Sequence, residues 1–173
     1  MATYYGDGIA TSDSAFVLGY TRNVATQGSR LRVFSSRITR LLTTASSDLA
    51  RMIVLPASAR VWQLWFATNG AATAGAMNIG LYYAGSAADG AVINASYFGT
   101  AIVVTASAHT EVFNESTTPT EVKRGNTLWE LAGLSAEPSL PTTNRMHITI
   151  TPSTTFTVTA PIVQLYALVT LGD

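Results

Sequence analysis

The chain has no cysteine among its 173 residues. A disulfide scaffold, a thiolate nucleophile and a cysteine-ligated metal are therefore excluded. Charge is nearly as scarce: 12% of the side chains are Asp, Glu, Lys or Arg, where a soluble domain carries roughly 25%. Ten basic and ten acidic side chains cancel to a formal net charge of zero. No charge excess exists to drive general binding to nucleic acid or to an anionic membrane, so neither is expected as a partner. Long apolar runs are missing as well, and no stretch approaches the ~18 residues that a membrane-spanning helix needs. The opening MATYYGDGIATSDS has neither the basic n-region nor the apolar h-region of a secretion signal.

Catalytic vocabulary is equally thin. The chain has two histidines, His109 and His147. His109 and Glu111 are two apart, so on a strand they share a face, but no third metal ligand is evident from the sequence. The two read more simply as a solvent-facing polar pair. No G-x-S-x-G elbow and no glycine-rich phosphate loop occurs. Most of the acids sit beside turn residues, as Asp7, Asp13, Asp48, Asp89 and Glu137 do. No enzymatic activity, metal or cofactor is expected.

What the chain does have is 47% hydrophobic residues, 25 Thr, 25 Ala and 15 Ser. At this length a single domain buries about 68–70% of its unfolded surface and needs no covalent staple. Ser and Thr hydrate a surface without charging it, and Thr favours strands. A neutral, charge-poor surface also associates readily. A plain compositional preference for Ala and Thr is the alternative account.

Period two marks most of the chain. In RVWQLWFAT (60–68), Val61, Gln63 and Trp65 alternate with Trp62, Leu64 and Phe66, and both sets are largely apolar, as in a strand covered on two faces. A turn at 69–75 leads to a strand at 77–84, and further strands are expected at 101–106, 109–114 and 127–131. His147, Thr149 and Thr151 alternate with Ile148 and Ile150. With Phe156 and Val158 beyond Pro152-Ser153-Thr154 they suggest a hairpin. Pro161 precedes a last strand, 162–171. Ile38, Leu41, Leu42, Ala45, Leu49 and Met52 fit a helical template too, but Thr39, Thr43, Thr44, the Ser46-Ser47 pair and the turn residue Asp48 favour two strands, about 31–41 and 50–55. About eight to ten strands at this spacing predict an all-β, single-domain, jelly-roll-like β-sandwich.

Residues 1–14 differ, with two adjacent tyrosines, a Gly-Asp-Gly turn and no alternation. They read either as a frayed end or as an extended N-terminal arm outside the 15–173 body. In the second case the arm lies on a neighbouring subunit, anchored by Tyr4 and Tyr5. Charge is also unevenly placed. Residues 1–60 hold seven arginines against three acids, net +4, and residues 61–173 hold three basic against seven acidic groups, net −4. Arginine suits bidentate ion pairs at interfaces. Arg22, Arg30 and Arg32 are candidates for a surface that meets an acidic neighbour or another copy head to tail; a solvated polar face is the alternative. Trp62, Trp65 and Trp129 raise the idea of a sugar-stacking platform, but their apolar neighbours favour core packing.

The segment MIVLPASARVW (52–62), followed by NGAATAG (69–75) and NIGLY (78–82), resembles small virion proteins of tailed bacteriophages. In those proteins an LPAGARV turn joins two strands; here Ser58 replaces the usual glycine. VKRGNTLWELAG (122–133), a Thr-rich stretch and an apolar final strand extend the resemblance over about residues 50–171. It implies a head decoration, or cement, protein: a β-sandwich, often a homotrimer, on the capsid surface of the virion, with the major capsid protein as partner. No catalytic residues come with it. A tail or neck adaptor, or a fibre-like glycan-binding β-module, is the alternative.

Overall fold

Each middle strand is apolar on the face turned inward, and that pattern organises two sheets. The computed structural model describes residues 3–5, 21–22, 31–38, 49–69, 75–84, 91–104, 107–113, 126–137, 144–154 and 162–171. Among them are β1 (Thr3–Tyr5), β2 (Thr21–Arg22), β3 (Leu31–Ile38), β4 (Leu49–Pro56), β5 (Arg60–Asn69), β6 (Ala76–Ala84), β7 (Val92–Val103), β8 (Ser107–Glu111), the one-turn helix α1 (Leu128–Leu131), β9 (Arg145–Pro152) and β10 (Val163–Thr170). The first sheet runs β1-β4-β9-β6-β7 and the second β2-β3-β10-β5-β8. The β1–β4 pair is parallel, and the other described pairs are antiparallel. The two sheets form an all-β sandwich, an arrangement compatible with a jelly roll.

The core is the contact between the two inward faces. Met146, Ile148 and Ile150 of β9 meet one apolar cluster with Leu165, Ala167 and Val169 of β10, Leu64 and Phe66 of β5, and Ile79 and Leu81 of β6. All of these are completely or almost completely buried. Alternation sends the intervening residues of β9 to the outer face of the first sheet. There His147 and Thr149 are nevertheless fully buried, and Tyr82 and Thr151 nearly so. Burial pushes the Tyr82 phenol above its ordinary pKa, and a side-chain hydrogen bond with Thr151 partly offsets the shift.

Bulges shape the edges. Trp62 is an extra residue in β5: Leu168 pairs with Gln63 and Val169 with Val61, so the ladder skips the indole. In β7, Gly99 pairs with Ile79 and Asn94 with Leu81, so residues 95–98 stand opposite Gly80 alone. The Asn94 side chain opens this bulge by accepting from the Ser96 backbone N–H at 3.0 Å. The Asn78 side chain supports a second irregularity, accepting from Ala101 N–H at 2.9 Å, where Ala101 has φ 51°. The larger bulge turns Phe98 into the core, against Phe113 with ring centroids 5.4 Å apart.

Several expected strands hold, and some boundaries move. The strands expected at 31–41, 50–55, 60–68, 77–84 and 162–171 correspond to β3, β4, β5, β6 and β10 over their described parts. The strand expected at 101–106 is the end of a longer one that begins at Val92. The strand expected at 127–131 is instead the helix α1. Thr127 is its N-cap: Thr127 N–H and Oγ1–H both donate to the Glu130 carboxylate, at 2.6 and 2.8 Å. Glu130 N–H returns a longer bond to Thr127 Oγ1, which closes a capping box. The partner strand of the hairpin expected after 147–151 lies outside the described residues, as do 39–48 and 85–90; β9 itself is flanked by β4 and β6.

Two stability predictions follow from this packing. A Cβ on Gly80 would lie 2.5 Å from the Ala95 carbonyl oxygen and 2.6 Å from that of Asn94. Gly80→Ala is therefore expected to destabilise the fold by about 1–3 kcal/mol in urea unfolding, through overpacking against backbone that has little room to move. Among the described residues the fully buried Thr149 hydroxyl has no hydrogen-bond partner. Thr149→Val, nearly isosteric, removes that burden and is expected to raise stability by about 1 kcal/mol in the same measurement.

Candidate interaction surface

The described candidates converge on one flank of the sandwich. Tyr4 and Tyr5 belong to β1, in register with Ala50 and Arg51 of β4. Arg22 belongs to β2, opposite Val33 of β3. β1 and β2 are the outermost strands on corresponding edges of the two sheets, and the strands they border, β3 and β4, approach each other across the sandwich. Arg32 lies on β3 opposite Val169. It shares the parity of Phe34, Ser36 and Ile38, the inward-facing residues, and sits half-buried near the strand end. Arg30 and most of the expected arm, 6–14, lie outside the described residues.

The described arginines of residues 1–60 are spread over four strands: Arg22 on β2, Arg32 and Arg37 on β3, Arg51 buried on β4, and Arg60 at the start of β5. In the second sheet Arg37 is exposed on β3 near the first flank, and Glu111 lies on β8 at the far edge.

The outer face of that second sheet is aromatic. Trp65 of β5 and His109 of β8 stack with centroids 5.0 Å apart and planes 14° from parallel. Tyr166 of β10, directly opposite Trp65 in the ladder, meets the His109 ring edge-on at 6.1 Å. Trp62, displaced by its bulge, is 38% exposed; its indole N–H donates to Thr170 Oγ1 at 3.0 Å. The core expectation thus suits Trp129, which packs half-buried against the apolar cluster, but not Trp62 and Trp65. The bulge at Trp62 puts both indoles on the outer side.

The stacking bears on what this face can bind. Side chains stand roughly perpendicular to a sheet, so rings stacked across neighbouring strands shield each other's faces and turn their edges outward. Sugars stack on ring faces, so the Trp65–His109 pair is poorly disposed as a sugar platform, whereas an edge-rich, polar-fringed aromatic patch suits a protein partner.

His109 and Glu111 do share a face, as their spacing implies. His147 lies in the other sheet and is fully buried, so the two histidines contribute to no common site. Among the described residues no three His, Asp or Glu side chains gather as metal ligands, and no helix is long and apolar enough to cross a membrane. The Glu130 carboxyl is held below its ordinary pKa by the hydrogen bonds from Thr127, and its role is to cap α1.

No protein-family model and no curated protein matches the chain. Among solved structures, a chain from the capsid of Ralstonia phage GP4 has a similar fold, with a TM-score of 0.58 and 14% identity over 99% of each chain. A chain from the capsid asymmetric unit of cyanophage Pam1 aligns with a TM-score of 0.48 and 16% identity, over 94% of this chain and 98% of that one.

The aromatic face yields its own test. His109→Ala removes one member of the stacked pair and is expected to cost about 0.5–1.5 kcal/mol in urea unfolding, while the far-UV spectrum stays that of the parent because the ring lies outside the core.

Proposed function

We propose that this protein is a structural component of a tailed-phage virion: a decoration protein on the outer surface of the head, bridging neighbouring copies of the major capsid protein and carrying no catalytic function. The observation that carries the reading is the likeness to the Ralstonia phage GP4 capsid chain, which extends over essentially the whole of both chains. A fold alone does not assign a role, but the molecule's other features support this one. The chain is poor in charge and the outer face of one sheet is aromatic. Decoration works by adding buried area across weak seams, and many symmetric copies turn modest contacts into firm retention. A homotrimer is the oligomer this reading favours.

A second reading rests on Trp62. An indole 38% exposed on a sheet face favours a tail or fibre component that holds a host glycan by ring stacking. Quantitative protein composition of purified particles separates the two. A copy number near that of the major capsid protein is expected for decoration; about six or twelve copies would place the chain in tail or neck, and complete absence from particles would overturn the virion reading.

A further inference from the structure

We propose that two copies of this chain pair face to face through the outer side of the second sheet, about a two-fold axis that runs along β10. The inference concerns the purified chain alone and stands apart from the virion reading; a three-fold contact has to use other surfaces.

That side of the sheet is open along its described length. On β3, β10 and β5 every outward residue keeps some exposure, whereas on the outer side of the first sheet His147 and Thr149 are fully buried. The middle of the open side carries no charge. Val33, Leu168 and Gln63 form one cross-strand row, and Ser35, Tyr166 and Trp65 form the next. The charged outward residues of these three strands, Arg37 and Arg60, stand at diagonally opposite corners, in the rows of Gln164 and Thr170. An uncharged, aromatic centre is the composition that interface cores favour, and a contiguous apolar patch on a folded chain marks such a contact.

The size of the face suits a second copy. Four strands, β3, β10, β5 and β8, at about 4.8 Å each and eight residues at about 3.3 Å give a flat footprint on the order of 500 Å². Two copies then cover about 1,000 Å² before the relief of the side chains is counted, which reaches what a specific contact needs.

Relief and charge select the axis. The β5–β8 half is high, with Trp62, Trp65 and His109, and the β3 half is low, with Val33 and Ser35. A two-fold contact sets the face against itself. Rotation about β10, the central strand, lays the high half of each copy on the low half of the other. Arg37 then faces Ala67 of the other copy and Arg60 faces Leu31, so no like charges are opposed. An axis across the strands sets β5 on β5 and jams the indoles of one copy against those of the other. The first arrangement fills space and the second leaves gaps on either side, whereas an interface core packs as densely as an interior.

Sedimentation equilibrium of the unmodified chain at 50 and 500 mM NaCl is the first test, because it needs no variant to fold. A dimer is expected at both, with a Kd that changes less than about threefold, because the centre of the contact is uncharged. Leu168 lies on the axis and faces its own counterpart, which gives a specific test. Leu168→Glu alone and Leu168→Lys alone should each weaken association about tenfold or more, since like charges then meet. An equimolar mixture of the two opposes Glu to Lys and should associate about tenfold or more tighter than either alone. Val92→Glu and Val103→Glu, at exposed positions on β7 of the other sheet, should leave the Kd unchanged. Thermal melts confirm that each variant is folded. A monomer at both salt concentrations overturns the proposal and leaves the face to a different protein. A trimer without a dimer overturns it as well. So does association indifferent to both Leu168 changes, a folded mixture that fails to recover, or an equal loss on changing Val92 or Val103.

Discussion

The structure depends on one contact, the apolar meeting of two sheet faces whose middle strands are β9 and β10. Each is flanked on both sides by other strands, so its backbone groups are paired and its side chains decide what lies above and below. Ile148, Ile150, Leu165 and Val169 are completely buried in a single cluster. In a chain with so little charge and no disulfide, burial of apolar area is the dominant stabilising term. The peripheral features are arranged around that contact. The β7 bulge turns Phe98 inward and the capped turn of α1 delivers Leu128 and Leu131 to the core. The β5 bulge keeps the pairing with β10 intact while placing one indole outside.

The alternation that defines these strands was plain in the sequence. His147, Thr149 and Thr151 against Ile148 and Ile150 gives β9 and its inward face directly, and the 60–68, 77–84 and 162–171 strands are equally legible. What the sequence does not reveal is displacement by a single residue. Nothing in Val61-Trp62-Gln63 shows that the ladder skips Trp62, yet that skip decides which side both indoles occupy. Arg32 illustrates a related limit: its alternation with Leu31 and Val33 was visible, but only the pairing with β10 shows that its parity is the inward one. The helix α1 was a different failure. Thr127-Leu128-Trp129-Glu130 carries the S/T-x-x-E capping signal, and the run of β-compatible residues outweighed it. The outer aromatic cluster joins residues from three strands far apart in sequence, and no local pattern encodes that.

The charge asymmetry has the opposite character, because the sequence shows it and the topology gives it meaning. A net +4 over the first 60 residues has little consequence if those residues scatter across the molecule. Here the described strands among them, β1 to β4, lie on one flank of both sheets. The Arg22 and Arg32 candidates and the tyrosines of β1 thereby fall on a common flank although 26 residues lie between Tyr5 and Arg32.

The two outer faces differ, and the difference narrows where a partner can bind. On the first sheet, His147 and Thr149 point away from the core and are still inaccessible. On the second sheet Trp62, His109 and Arg37 are exposed. A charge-poor molecule has few solvated groups to strip when such a face is covered, so the desolvation cost of docking is small. The aromatic rings already hold one another in place, and a partner has little side-chain entropy left to remove. Low charge and a pre-ordered aromatic face therefore act together: the first keeps the cost of covering the face small, and the second supplies the area that retains a partner.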